Sequence, residues 1–381
     1  MTGRHCRRTM FRVRIEEHPL PTGRDRDQLI NWLVATFGLI RRRGEEHSFG
    51  DSQQPVVVLL RDHFLANPNS GVDASILAKE LGLAAPSLHH HIVRLNECRL
   101  IASKSEGDGW RRHFLRGASL SAAIKIFSAE ARIVLDLQMS LLEKWWQRNE
   151  SSIQLNIPTS ANQTPLPLRL WIAEPSPLPP VAGVCEISAW MDDLGLLGDR
   201  PAKSMNSTSV PVTLFKTLLQ RGPPLSIDEA VEMTGATKPR LTRIFDRFRA
   251  SGIVERVPRT DRLSITIWAA LESQYRKRGE DWLMLKGGLN RQVPEREINV
   301  IIKALNKGKL TPELVEKSLS ELELKQQMLL LNLLGGRLPL GYRLVGTSPL
   351  ICAESCKSRL DRVLRRLRRV AEQLEESMEK V

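Results

Sequence analysis

Residues 226–268 constrain this chain more than any other stretch, because their start and stop signals fix an order of elements. Ser226 and Glu229 have the spacing of a capping box, in which each side chain bonds the other's backbone N–H. A short helix follows through Val231 and stops at Gly235, a residue that enters the left-handed region cheaply. Thr237 is the next candidate N-cap, and Pro239 falls in a first helical turn, where its missing N–H costs little. Leu241, Ile244, Phe245 and Phe248 then recur at helical spacing and make one apolar face, while Lys238, Arg240, Thr242, Arg243, Arg247 and Arg249 fill most of the rest. Gly252 ends that helix and Ile253-Val254 opens a strand. A basic turn follows, with Arg256, Arg259 and Arg262 around it, and the alternation of Leu263, Ile265 and Ile267 predicts a returning strand.

A weaker copy of this plan occupies residues 73–116, after a helix predicted over 54–66. Asp73 caps a helix carrying Ile76, Leu77 and Leu81, Gly82 supplies the turn, and Pro86 opens a helix with Leu88, Ile92 and Leu95 on one face. By helical angle Ser87, His90 and Arg94 point away from that face. Leu100-Ile101-Ala102 starts a strand, Glu106-Gly107-Asp108-Gly109 is a strong turn, and a basic strand with Arg111 and Arg112 returns. One position differs in kind. Arg99 stands where the better copy has Gly252, and a positive φ costs Arg more than Gly, so the first copy is expected to turn differently there.

A helix that docks one face on its own domain and offers donors on the other has the design of a DNA-recognition helix. Both stretches resemble winged helix-turn-helix proteins, in the MarR-like and ArsR-like branches of transcription regulators. The resemblance implies that the second helix of each motif enters the major groove and that the basic hairpin touches phosphates or the minor groove. It thus implies two recognition helices, over 87–94 and 238–249. Ser87, His90, Arg94, Lys238, Arg240, Thr242, Arg243 and Arg247 are the helix contacts, and Arg111, Arg112, Arg256, Arg259 and Arg262 the hairpin contacts. The expected fold class is mainly α with small β-wings (α+β): two winged helix-turn-helix domains plus long helices with a heptad pattern.

The rest of the chain fits around those units. Residues 1–50 read as an Arg-rich arm, broken by Pro19, Pro21 and Gly23, and a first helix with Leu29, Leu33, Phe37 and Ile40 inward, ending at Arg41-Arg42-Arg43. The arm either tracks phosphates or is a loose basic tail. Residues 51–117 form the first winged domain, and 118–150 a long helix in which Leu120, Ile124, Phe127, Ala131, Val134, Gln138, Leu141 and Trp145 step four and three apart. Such a helix either packs on its own domain or joins two copies, and a homodimer is expected. Residues 151–208 read as a Pro-rich linker, 209–285 as the second winged domain and 290–381 as a helical, coiled-coil region. Within the last, helices are predicted over 295–306 and 312–334, and a connector over 335–349. The final helix carries Leu360, Leu364, Leu367, Ala371, Leu374 and Met378, with Arg-rich and Glu-rich halves that suit antiparallel pairing.

The net charge of +13 over 381 residues favours an anionic partner such as double-stranded DNA. An odd number of cysteines, five, makes no disulfide framework and fits a reducing cytoplasm, with location at the nucleoid. The Arg-rich start leads into no apolar segment of a signal peptide, and the longest apolar run, near 29–40, is too short to span a bilayer, so no membrane is expected. His89-His90-His91 cannot converge on one ion, because successive helical residues lie about 100° apart. Cys352 and Cys356 are one turn apart without a second pair, which favours core cysteines over a metal site. No P-loop, dinucleotide fingerprint, H-E-x-x-H or paired CxxC is present, and no nucleophile set can be argued from spacing. No cofactor, metal or enzymatic activity is expected. A replication-initiation or partition protein, and an architectural scaffold binding protein partners, stand as alternatives to the regulator.

Overall fold

The computed structural model describes residues 11–40, 54–106, 110–147, 166–175, 185–198 and 206–379. It is mainly helical with three small antiparallel sheets. The first half runs β1 (Arg12–Glu16), α1 (Arg26–Thr36), α2 (Pro55–Val58) continuing into a π-helical stretch Leu59–Leu65, β2 (Val72–Asp73), α3 (Ala74–Glu80), α4 (Ala85–Glu97), β3 (Ile101–Glu106), β4 (Trp110–Leu115) and the long α5 (Leu120–Ser140). The second half runs β5 (Arg169–Ala173), α6 (Glu186–Asp193), α7 (Val210–Gln220), α8 (Ile227–Thr234), α9 (Lys238–Ala250) and β6 (Val254–Pro258). Five helices follow: α10 (Leu263–Leu285), α11 (Leu289–Gln292), α12 (Glu295–Asn306), α13 (Pro312–Ser318) and α14 (Leu324–Leu333). The chain then returns as β7 (Leu340–Leu344) and closes with α15 (Pro349–Glu379).

The two halves repeat one plan, with α10 to α14 as the addition in the second. In the first, β2, β4 and β3 form a sheet in that order. In the second, Leu225 bridges Tyr342 of β7, and β7 pairs with β6, so the order is the same. From the N-cap of α3 to the start of β3 the halves match without a gap. Asp73 caps where Ser226 caps, Gly82 and Gly235 both take positive φ, and Pro86 and Pro239 open α4 and α9. After the sheet the match resumes. Ser119 accepts from the Ala122 N–H at 3.0 Å to start α5, and Ser348 accepts from the Ile351 N–H at 3.3 Å to start α15.

Two contacts show that the halves face each other about a local twofold. β1 pairs antiparallel with β5, and Arg14 meets its own counterpart Trp171 at the centre of that register. α5 lies antiparallel to α15, with Ser121 near Glu375 and Asp136 near Lys357. Between them Arg132 donates to Asp361, again its own counterpart, at 2.7 Å. The heptad faces of the two long helices are therefore buried against each other, inside one chain. A continuous core runs through both halves. Phe127 of α5 packs on Phe11 and Phe37, and Trp190, Phe215, Phe248, Phe245 and Tyr342 form a chain of ring contacts. The inserted helices have a second core, centred on Leu263, Ile267, Leu271, Leu289, Val315 and Leu334.

Several expectations are corrected. The returning strand after Arg262 is the start of α10. Leu263, Ile267 and Leu271 are buried at intervals of four while Ile265 is 38% exposed, a helical face that a short window mistakes for alternation. The strand that pairs with β6 is β7, inside the segment expected to be a connector. The helix expected over 312–334 is two, α13 and α14, broken at Leu319–Glu323. β1 lies in the expected arm and β5 in the expected linker. Arg99 has φ 58°, so the first copy makes the same left-handed turn as Gly252. Residues 1–10, the Arg41-Arg42-Arg43 run, the 107–109 turn and most of the Pro-rich stretch lie outside the described residues.

Candidate nucleic-acid interface

α9 is held from both sides, which fixes the face it leaves outward. Before it, the capping box forms as the sequence dictates: Glu229 N–H donates to Ser226 Oγ at 3.2 Å and Ser226 N–H to Glu229 Oε2 at 2.9 Å. Gly235 closes α8 with φ 65°. Leu241, Ile244, Phe245 and Phe248 are buried. Lys238, Arg240, Thr242 and Arg243 are exposed on the first turns of the helix. Lys238 pairs with Asp228 at 2.6 Å, and the Thr242 hydroxyl donates to the Lys238 carbonyl at 3.0 Å. The side chains of Arg240 and Arg243 make no hydrogen bond or ion pair within the described residues. Two guanidinium groups thus stand in solvent on one face of a rigid helix, each with its full set of donors unused.

The corresponding face of α4 carries Ser87, His89 and His90, all exposed, where α9 has Arg240, Thr242 and Arg243. His90 lies 5.7 Å from the His91 ring, and burial holds the His91 pKa below the ordinary imidazole value. Arg94 is not part of this surface. It is half-buried, donating from Nη1 to the Leu39 carbonyl at 2.6 Å and from Nη2 to the Gly38 carbonyl, just past the end of α1. Its counterpart Arg247 does the same in the second half, donating to the Leu196 carbonyl at 3.2 Å past the end of α6. Carbonyls at a helix C-terminus lack intrahelical donors, and a cation there also meets the negative end of the dipole. Both arginines, expected as DNA contacts, instead tie α4 and α9 to the preceding βα unit. Helical angle alone could not show this, because the acceptors lie more than fifty residues away in the sequence.

The hairpin residues divide likewise. Arg111 and Arg112 are exposed on β4, and Lys104 of β3 is exposed directly opposite Arg112. Lys104 was not singled out from the sequence, although its place in a strand facing a basic strand was the available signal. In the second half the corresponding cations are mostly withdrawn. Arg259 is buried, bonding Glu229 and Asp261 at 2.5 Å each, and its N–H donates to the Pro339 carbonyl at 2.8 Å. Burial works against its charge, but the two carboxylates hold its pKa above the ordinary value. Arg256 is half-buried with its guanidinium 5.8 Å from the Tyr342 ring centre. Only Arg262 stays exposed, 3.6 Å from Glu229. The physical reason is the insertion: Arg259 and Pro339 are where it leaves and rejoins the sheet, and Arg259 clamps that junction. Glu229 is the hub of the clamp. Burial raises its pKa, but Arg259, the Ser226 backbone and Arg221 together lower it to about 2.

Other chemistry is sparse among the described residues. No group of three or more His, Cys, Asp or Glu converges as a metal site. Cys352 and Cys356 are buried with their thiols against the Ile253 and Ser251 carbonyls, and burial pushes the Cys356 thiol up to about 12. They are packing residues between α15 and the turn after α9. Among the described residues, no helix is long and apolar enough to cross a membrane.

No family model matches the chain, and no curated protein or solved structure matches it either.

Proposed function

We propose that this protein binds double-stranded DNA through two winged helix-turn-helix units and regulates transcription, acting at the nucleoid. The observation that carries the reading is the exposed face of α9, where Arg240 and Arg243 stand unpaired beside Lys238 and Thr242. The reading is supported by the order of elements: helix, short strand, helix, helix, strand, strand in the first half, and the same order in the second with the bridge of Leu225 to Tyr342 in place of the short strand. Guanidinium forks on a helix of this kind suit the O6/N7 edge of guanine in the major groove. Lys104, Arg111 and Arg112 on the ribbon beside α4 suit phosphates, and the net charge of +13 supplies a sequence-independent attraction.

The test is fluorescence anisotropy with the chain's own upstream region as a labelled duplex, against a scrambled duplex, over a salt series. Tighter binding to the upstream duplex that persists at physiological salt is the expected result. Equal binding that fades steeply with salt for both duplexes leaves only a charge effect, and no binding at low salt ends the DNA reading. One observation favours a second reading, a scaffold for protein partners: the helical insertion stands where the second wing would touch DNA. A variant in which residues 260–338 are replaced by a short Gly-containing turn separates the two, because a DNA reader keeps its α9 contacts without the insertion.

A further inference from the structure

The two halves are equivalent in plan but not in charge, and the difference is crosswise. On the helices, the permanent cations belong to the second half: α9 presents Arg240 and Arg243 where α4 presents Ser87 and His90. On the ribbons they lie mostly in the first half, with Arg262, 3.6 Å from Glu229, the exposed hairpin arginine of the second. There Lys104 and Arg112 lie opposite each other with Arg111 beside them, whereas Arg256 and Arg259 are turned inward by Tyr342 and by the Glu229–Asp261 clamp. We infer that a single chain binds a single duplex with divided labour, the second half reading bases through α9 and the first half anchoring phosphates through the β3–β4 ribbon. This rests on the DNA reading above and goes beyond it by assigning the two tasks to different halves and fixing the stoichiometry.

The chemistry behind the division is the difference between a fork and a point contact. An arginine meets guanine with two parallel donors, which discriminates against other bases, while serine or a neutral histidine makes one weaker bond and discriminates little. Ribbon cations contact phosphates, which carry no sequence information but release counterions. One chain suffices because the twofold that a homodimer would need is already present between the halves. The long-helix seams are filled by each other, and the β1 edge is filled by β5. A duplex read this way has one specified half-site, under α9, and one anchored half about a helical turn away that tolerates many sequences.

The experiment begins with the full chain and a pool of duplexes randomised over about three helical turns. After selection, the enriched duplex and a scrambled one are titrated with three proteins: wild type, Arg240→Ala/Arg243→Ala, and Lys104→Ala/Arg112→Ala. All four substituted residues are exposed, and circular dichroism checks that each variant folds. The expected enriched sequence has one guanine-containing conserved half, bound in a complex whose mass is one chain per duplex. The α9 variant loses about 10-fold to 100-fold in preference for that sequence and binds both duplexes alike. The ribbon variant keeps the preference, weakens on both duplexes equally, and shows a log–log salt slope shallower by roughly 2. Two chains per duplex, a symmetric palindrome, or loss of preference in the ribbon variant would each overturn the division of labour while leaving DNA binding intact. Failure of the wild type to bind any duplex at low salt overturns the DNA reading itself.

Discussion

The two ribbons grow from the same frame and end differently. In the first half, β3 and β4 close over three residues and present their cations outward. In the second, β6 and β7 have the same place beside α9, but five helices stand between them and the cations at the junction are neutralised. The frame therefore does not decide what the ribbon does. An insertion at a ribbon tip leaves the sheet register intact, because Val254–Pro258 still pairs residue for residue with Leu340–Leu344. What it changes is the electrostatics at its base: Asp261, at the start of the insertion, joins Glu229 of α8 on Arg259.

The sharpest way to break that comparison is through the two cores. Phe127→Ala, in the continuous core that runs through both halves, should cost about 3–5 kcal/mol and lower the denaturation midpoint of the whole chain. Leu271→Ala, in the insertion core, should cost roughly 2–5 kcal/mol but raise hydrogen exchange only from α10 to α14, leaving β6, β7 and α9 protected. If Leu271→Ala unfolds the sheet as well, the insertion is part of the frame and the comparison fails.

Arg259→Ala should come next, at roughly 2–3 kcal/mol. That is below the cost of breaking a fully buried pair, because Glu229 and Asp261 keep about a fifth to a quarter of their side-chain surface exposed (22% and 26%). Exchange in α8 and the start of α10 should rise, with α3 unaffected. A variant that melts like wild type would show that the clamp contributes nothing.

The same clamp sets a pH dependence. Glu229 is lowered from 4.5 to about 2 in the folded chain, so its contribution is complete above pH 4.5 and is lost as pH falls toward 2. Its counterpart in the first half is Ile76, which does not titrate; the acid-sensitive group of α3 is its N-cap Asp73, whose hydrogen bond with Ser75 lowers it from a smaller ordinary value, 3.8. Between pH 4.5 and 2 the second half should lose protection before the first, and Glu229→Gln should flatten that part of the wild-type curve. Equal acid sensitivity of α3 and α8 would contradict the assignment.

The smallest effect is expected at the turn that both halves share. Arg99 adopts φ 58° and pairs with Glu130 at 3.2 Å, whereas Gly252 adopts φ 84°. Arg99→Gly removes the strain of a side chain in the left-handed region and a partly exposed ion pair, for a net stabilisation below about 1 kcal/mol. Gly252→Arg should destabilise, because a Cβ there meets Arg359 Nη1 at 2.9 Å. Thermal melts of the two variants should move in opposite directions.

The legibility of this chain in its sequence followed the range of each signal. The capping box at Ser226, the stop at Gly235 and the Leu241, Ile244, Phe245, Phe248 face are local, and each is where its residues place it. The heptads of α5 and α15 were legible as buried faces, but a periodic face does not name what covers it, and the cover proved to be the other half. β1 and β5 were hidden because a five-residue strand in Arg-rich or Pro-rich surroundings reads as arm or linker, although Phe11, Val13 and Ile15 do alternate. The pairing of β6 with β7 spans more than eighty residues and an independent core, a distance over which no local pattern carries information. Where the functional candidates left the surface the reason was the same: the acceptors of Arg94 and Arg247, and the Glu229 that holds Arg259, come from elements remote in sequence. Ser87, His90, Arg111, Arg112, Lys238, Arg240, Thr242, Arg243 and Arg262 remain on the surface.

The meeting of β1 with β5 has a consequence for how this molecule behaves on dilution. Two separate subunits joined by such a short ladder and one helix pair would part as their concentration fell, and any activity needing both would vanish with them. Here the partner is tethered through the chain, so its local concentration is set by the tether and not by how many copies are in solution. Occupancy of a target should then rise with protein concentration along a simple hyperbola down to the lowest copy number, with no threshold below which the pair is missing.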